Sequence, residues 1–157
     1  MTPLVATHAF AALVALLVGG WQLFIGPRGT PGHRLAGRVW VVAILFVAAS
    51  SFWIREITPG SFSALHALSV VTLVTVPLGV LGARQGRIAS HRAAMTGNWI
   101  GLVGAGAAAS AIPERDIPQL VVADPLTAAL AAVMVVVLAG VVIGVGRVVD
   151  VAVVRDA

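Results

Sequence analysis

Along the chain, apolar residues gather into five runs, near 4–25, 36–54, 62–82, 93–112 and 126–146, and most charged residues fall between them. A bilayer core about 30 Å thick is crossed by roughly 20 helical residues rising 1.5 Å each, so each run predicts one membrane-spanning helix. The connections are short and carry turn chemistry: Gly26-Pro27 and Thr30-Pro31-Gly32, then Thr58-Pro59-Gly60, then Gly86, then Pro113 and Pro118. Asp124-Pro125 supplies an N-cap and first-turn pair for the fifth helix. The first run has no basic residue ahead of it and no small-residue cleavage site, which predicts a retained span and not a signal peptide. No linker is long enough to divide the chain, so the pattern predicts a single all-α transmembrane domain over residues 1–157.

Composition agrees with a membrane solvent. The chain is 59% hydrophobic and 10% charged, a balance that a water-soluble domain of 157 residues does not sustain. The absence of cysteine excludes disulfides, thiolate metal sites, iron–sulfur clusters and c-type haem attachment. All ten basic residues are arginine and the formal net charge is +4. They flank apolar spans instead of forming a basic face with polar or aromatic readers, which argues against nucleic acid as a partner and leaves the lipid bilayer. Arg28, Arg34, Arg38, Arg84, Arg87, Arg92, Arg147 and Arg155 fall on one side, Arg55 and Arg115 on the other. By the positive-inside rule the arginine-rich side is cytoplasmic, which predicts a multi-pass protein of a bacterial inner membrane with its N-terminus outside and its C-terminus inside.

The four histidines stand at the starts of the first four spans and repeat at a fixed offset. His8 and His33 are separated by 33 − 8 = 25 positions, His66 and His91 by 91 − 66 = 25, and 66 − 8 and 91 − 33 both equal 58. The same shift brings Val18 to Val76, Leu23 to Leu81, His33-Arg34 to His91-Arg92, Ile54 to Ile112 and Glu56 to Glu114. This is the signature of a duplicated helical hairpin, repeat one over 4–57 and repeat two over 62–115, with an extra helix over 121–149. Because each copy crosses twice, the copies are related by an axis along the membrane normal. The expectation is a pseudo-twofold four-helix core with the first helix opposite the third and the second opposite the fourth. His8 and His66 then form an outer pair and His33 and His91 an inner one. About 18 residues from His8 to Gly26 rise roughly 27 Å, so the pairs lie near opposite faces.

Ionisable groups in a membrane are costly and mark function. A zinc or copper site draws three or four side chains into one shell, whereas each level here offers two histidines. Two imidazoles suit a b-type haem, which needs two axial ligands, apolar walls and cations for its propionates. The assignment is therefore two haems, with His8, His66, His33 and His91 as axial ligands. Arg34, Arg92 and Arg38 are available to the inner propionates, and Arg55 and Arg115 to the outer ones. As orientation signals the arginines need no ligand. Ala11, Ala12, Ala15 and Gly19 on the first helix, and Ala94, Gly101, Ala105 and Ala108 on the fourth, either flank a macrocycle or serve close helix packing. A haem with both axial positions filled transfers electrons and does not activate oxygen.

The runs "GPRGTPGHRLAGRVWVVA", "SSFWI", "LHALSVVTLV" and "HRAAM" resemble a family of predicted bacterial membrane proteins catalogued as a domain of unknown function, over about residues 8–115. The resemblance implies a helical membrane fold. Where that family has a basic residue and tyrosine after the second His-Arg motif, this chain has Thr96-Gly97-Asn98-Trp99. The layout of two histidine pairs is also similar to that of two-haem transmembrane cytochromes b, which implies a quinone or a small-molecule reductant such as ascorbate as electron partner. Two other readings stand beside it. One is a small transporter or proton relay lined by the histidines with Gln22, Thr72, Thr75 and Asn98; the other is a haem-free accessory subunit of a membrane complex.

Overall fold

The structure, a computed structural model, describes residues 2–54, 64–111 and 116–155. Six α-helices follow in order: α1 Pro3–Phe24, α2 Pro31–Ser50, α3 Ala64–Arg84, α4 Ile88–Ser110, α5 Asp116–Ala123 and α6 Pro125–Arg155. A 3-10 turn, Ser51–Trp53, extends α2, and the described residues contain no strand.

Two of these helices open on the same device. Thr2 and Thr30 cap α1 and α2, accepting the N–H of Val5 at 3.3 Å and of His33 at 3.1 Å, with Pro3 and Pro31 in the first turn. The hydroxyl satisfies one of the helix's orphan donors, and proline lacks the N–H that would go unpaired there. Asp124 does the same ahead of Pro125, where its carboxylate accepts the Thr127 N–H at 3.1 Å. The turns after α1 and α3 use Gly29 and Gly86 at φ of +78° and +74°, a left-handed conformation that glycine adopts without the Cβ clash.

Packing order defines the bundle. Helix α1 packs on α2 and α4, and α3 packs on α2 and α4, so the four close into a ring with α1 across from α3 and α2 across from α4. Helix α6 lies outside the ring against α1 and α2. The buried core runs through Val14, Val18 and Trp21 of α1, Ala36, Trp40 and Ile44 of α2, Val76 of α3, and Val135 and Ala139 of α6. Elsewhere the helices present Leu, Val and Phe outward, as expected where lipid tails replace water.

The five apolar runs expected to span the membrane fall on α1, α2, α3, α4 and α6, with differences. Among the described residues, four helices are long and apolar enough to cross a membrane: α1, α2 with its 3-10 turn, α3 and α6. Helix α4 has 23 residues, which is sufficient length, but Ser90, His91, Arg92, Thr96 and Asn98 lower its hydropathy. It sits in the ring between α3 and α1, where His91 and Asn98 find protein partners. The second span begins at Pro31 and not at 36, because the Thr30 cap starts the helix earlier. The extra helix expected over 121–149 is divided: Asp116–Ala123 form the short helix α5, and α6 starts at Pro125 and continues to Arg155. Arg55, Glu56, Glu114, Arg115 and the Thr58-Pro59-Gly60 turn lie outside the described residues.

Candidate functional site

Each histidine lies within the first two turns of one ring helix. At the end of the bundle that carries most of the arginines, His33 of α2 meets Gln22 of α1. The Gln22 amide donates to the His33 carbonyl at 2.8 Å and lies 3.4 Å from His33 Nδ1. Across the ring, the Nδ1–H of His91 donates to the Gly79 carbonyl of α3 at 3.1 Å. A carbonyl only accepts, so Nδ1 carries the proton and Nε2 is the basic nitrogen of His91. His33 and His91 are near enough to interact electrostatically.

At the opposite end, His8 Nδ1 lies 2.8 Å from the Ser50 hydroxyl, which also lies 3.2 Å from the Val47 carbonyl. The single hydroxyl proton serves either Val47 or His8 Nδ1, so this contact is compatible with both His8 tautomers. The hydroxyls of Ser51 and Ser69 stand 2.7 Å apart and join α2 to α3. His66, 6% exposed, packs its ring against Phe52 with centroids 5.8 Å apart. A cavity of about 100 Å³ opens here, with His8, Ser51, Ser69, Thr72 and Asn98 as its polar lining and Ile44, Leu68 and Leu102 among its apolar walls.

Between the two levels the bundle is filled. Trp40 and Trp99 donate their indole N–H groups to the consecutive carbonyls of Ala15 and Leu16 at 2.9 and 3.0 Å. A Cβ on Gly19 would collide with Trp40 Nε1 and lie 2.6 Å from Trp99 Cδ1. The small-residue stripe of α1 therefore receives two indoles at Ala15 and Gly19. On the other side of the ring, the Asn98 amide donates to Thr75 Oγ1 and to the Ala94 carbonyl, both at 2.8 Å. Gln22, Ser50, Ser69, Thr72 and Asn98 are all buried, so polar groups recur from one end of the bundle to the other.

The arginines adjoining His33 and His91 face outward. Arg34 and Arg38 of α2 and Arg92 of α4 are exposed at the arginine-rich end, and Arg92 shares a cleft with Arg28. The carbonyl of Gly79 and the hydroxyls of Ser50, Ser51 and Ser69 were not candidates in the sequence. The 58-residue offset aligns Ser50 and Ser51 with alanines, and Gly79 is one glycine among seventeen. Among the described residues no three of His, Asp and Glu come together, so each level offers imidazoles without an added carboxylate cluster.

A family model described as a predicted membrane protein, DUF2306, matches residues 5–145. The chain belongs to this family. The matched stretch takes in all four histidines, all of the ring helices but the first two residues of α1, and most of α6. No curated protein and no solved structure matches. For this DUF2306 member, membership accounts for the membrane fold, and the chemistry must be argued from the side chains.

Proposed function

We propose that this protein carries electrons one at a time within or across the bilayer, on two b-type haems, one held by His8 and His66 and the other by His33 and His91. The observation that carries the reading is the placement of the four rings near the N-termini of four ring helices in which α1 stands across from α3 and α2 from α4. His8 with His66, and His33 with His91, would hold such a group from helices on facing sides of the ring, and the group would supply one-electron chemistry. The His91 contact adds support: a ligating histidine commonly donates its other N–H to a carbonyl, as His91 does to Gly79. Arg34, Arg38 and Arg92 are exposed cations at the His33 and His91 end of the bundle, beside Arg28.

The fit has definite requirements. The cavity beside His8, about 100 Å³, is smaller than the roughly 300–1,000 Å³ of a cofactor-sized pocket. A macrocycle enters only if ring helices part, and Trp99 is the side chain that ties α4 to α1. At His33, iron ligation through Nε2 fits a proton on Nδ1, so the Gln22 amide must give up its approach there. A quinol or a small soluble reductant is the donor class we propose. The arginine-rich end faces the cytoplasm in this reading, by the positive-inside rule.

A second reading is favoured by the buried polar groups. His8 with Ser50, Ser51 with Ser69, Thr75 with Asn98, and Gln22 with His33 form a series of short-range contacts through an otherwise apolar bundle, the kind of arrangement used to relay protons. Absorption of the purified protein separates the two. Sharp bands on dithionite reduction, with two haems per chain, support the electron carrier, and His66→Ala should remove one haem and spare the other. Loss of both or of neither contradicts the pairing. A colourless, folded protein whose pH-dependent flux in liposomes vanishes on the same substitution supports the relay.

A further inference from the structure

We propose that a cleft between the arginine-rich ends of α1 and α4 binds the phosphate of an anionic phospholipid from the surrounding bilayer, gripped by Arg28 and Arg92. The cleft has a volume of about 210 Å³ and is lined by Leu23, Phe24, Arg28, Arg92 and Thr96. Its two charged linings are both cationic and come from opposite sides of the seam, and no carboxylate is among them. The Arg28 guanidinium is held in place by donating Nη2–H to the Leu23 carbonyl at 2.6 Å, which leaves its other N–H groups for a ligand. Arg92 stands in the first two turns of α4, with the Thr96 hydroxyl one turn further on. Two guanidinium forks and a hydroxyl match the several acceptor oxygens of a phosphodiester.

The remaining lining points to lipid as the source of that phosphate. Phe24 is 70% exposed and stacks edge-on against Trp99, with centroids 5.3 Å apart at 75°. With Leu23 it makes an apolar wall beside the cations, suited to the first carbons of an acyl chain. Basic pockets between membrane helices at the positively charged side bind anionic headgroups for these reasons. This inference does not rest on haem. Because Arg92 is also a candidate partner for a propionate, haem content is measured alongside.

The test is native mass spectrometry of the detergent-purified full chain titrated with phosphatidylglycerol or phosphatidylcholine. The wild type should retain one phosphatidylglycerol in preference to phosphatidylcholine, and inorganic phosphate at the same concentration should not displace it. Arg28→Gln and Arg92→Gln should each weaken retention by about ten-fold, the scale of one lost charge-assisted contact. Arg87→Gln, at an exposed arginine of the same end outside the cleft, should leave it unchanged. Displacement by inorganic phosphate at equal concentration overturns the lipid assignment. So does undiminished retention in a folded Arg28→Gln variant, and that single change at an exposed side chain keeps the test decisive if Arg92→Gln does not fold.

Discussion

The carboxylate of Asp150, late in α6, accepts the backbone N–H of Gly32, the second residue of α2, at 2.6 Å. Its other oxygen accepts the Thr30 hydroxyl at 3.0 Å. The first N–H groups of a helix have no partner in their own helix, and the positive end of the helix dipole favours a carboxylate. A side chain 118 positions away thus caps α2 and ties the outlying α6 to the ring.

Asp150→Ala should therefore destabilise the protein by about 1–3 kcal/mol, the range for a hydrogen bond to a charged group together with the donor left behind. Asp150→Asn should cost less, since an amide oxygen still accepts. Thermal unfolding in detergent checks both; a melting curve unchanged by Asp150→Ala contradicts the tie.

The same junction depends on absent side chains. A Cβ on Gly32 would run into the Gly146 carbonyl and lie 2.7 Å from Asp150 Oδ2, whereas one on Gly140 meets nothing within 4 Å. Gly32→Ala should destabilise by about 1–3 kcal/mol through overpacking. Gly140→Ala should be neutral or slightly stabilising, because alanine is the better helix former. Equal melting temperatures for the two variants would count against close α2–α6 packing.

Gly79 bears on the site. A Cβ there would sit 2.6 Å from Met95 Cε and 2.7 Å from Ala94 Cβ, on the helix that carries His91. Gly79→Ala should push α3 from α4 and disturb the His91 Nδ1 contact. If the two-haem proposal holds, one haem's absorption and potential should shift while the other's stay fixed, as redox titration would read.

Thr75→Val separates the two functional readings. Thr75 accepts the Asn98 amide at 2.8 Å and lies outside the lining of the cavity beside His8. The electron carrier should keep its haem content with a valine there, whereas a proton relay should lose its flux in liposomes.

One pH effect lies outside the spans. Asp124 is held below the ordinary carboxylate range, first by the Thr127 hydroxyl and then by the Thr127 N–H, which both favour the anion. Its cap is present in full above the unfolded pKa of about 3.9 and is lost as pH falls through the lower folded value. Hydrogen exchange of the first turn of α6 should quicken over that acid window in the wild type and be already fast at neutral pH in Asp124→Ala.

The sequence by itself determined that the protein is an all-α membrane chain, where four of its long helices lie to within a few residues, and which histidines stand near their ends. Apolar run length and the Thr-Pro and Asp-Pro starts are local signals, and hydrocarbon admits few backbones other than helices. The polarity of Gln22, Thr72 and Asn98 also marked them as interior groups, since such side chains seek partners away from lipid. The tertiary structure decided what each of them touches. No local pattern could show that Gly19 makes room for Trp40 and Trp99, that Gly79 sets the His91 tautomer, or that Asp150 caps a helix begun at Pro31. Those contacts depend on how four helices rotate about their own axes when they pack, and that rotation is settled by side chains far apart in the chain meeting in three dimensions.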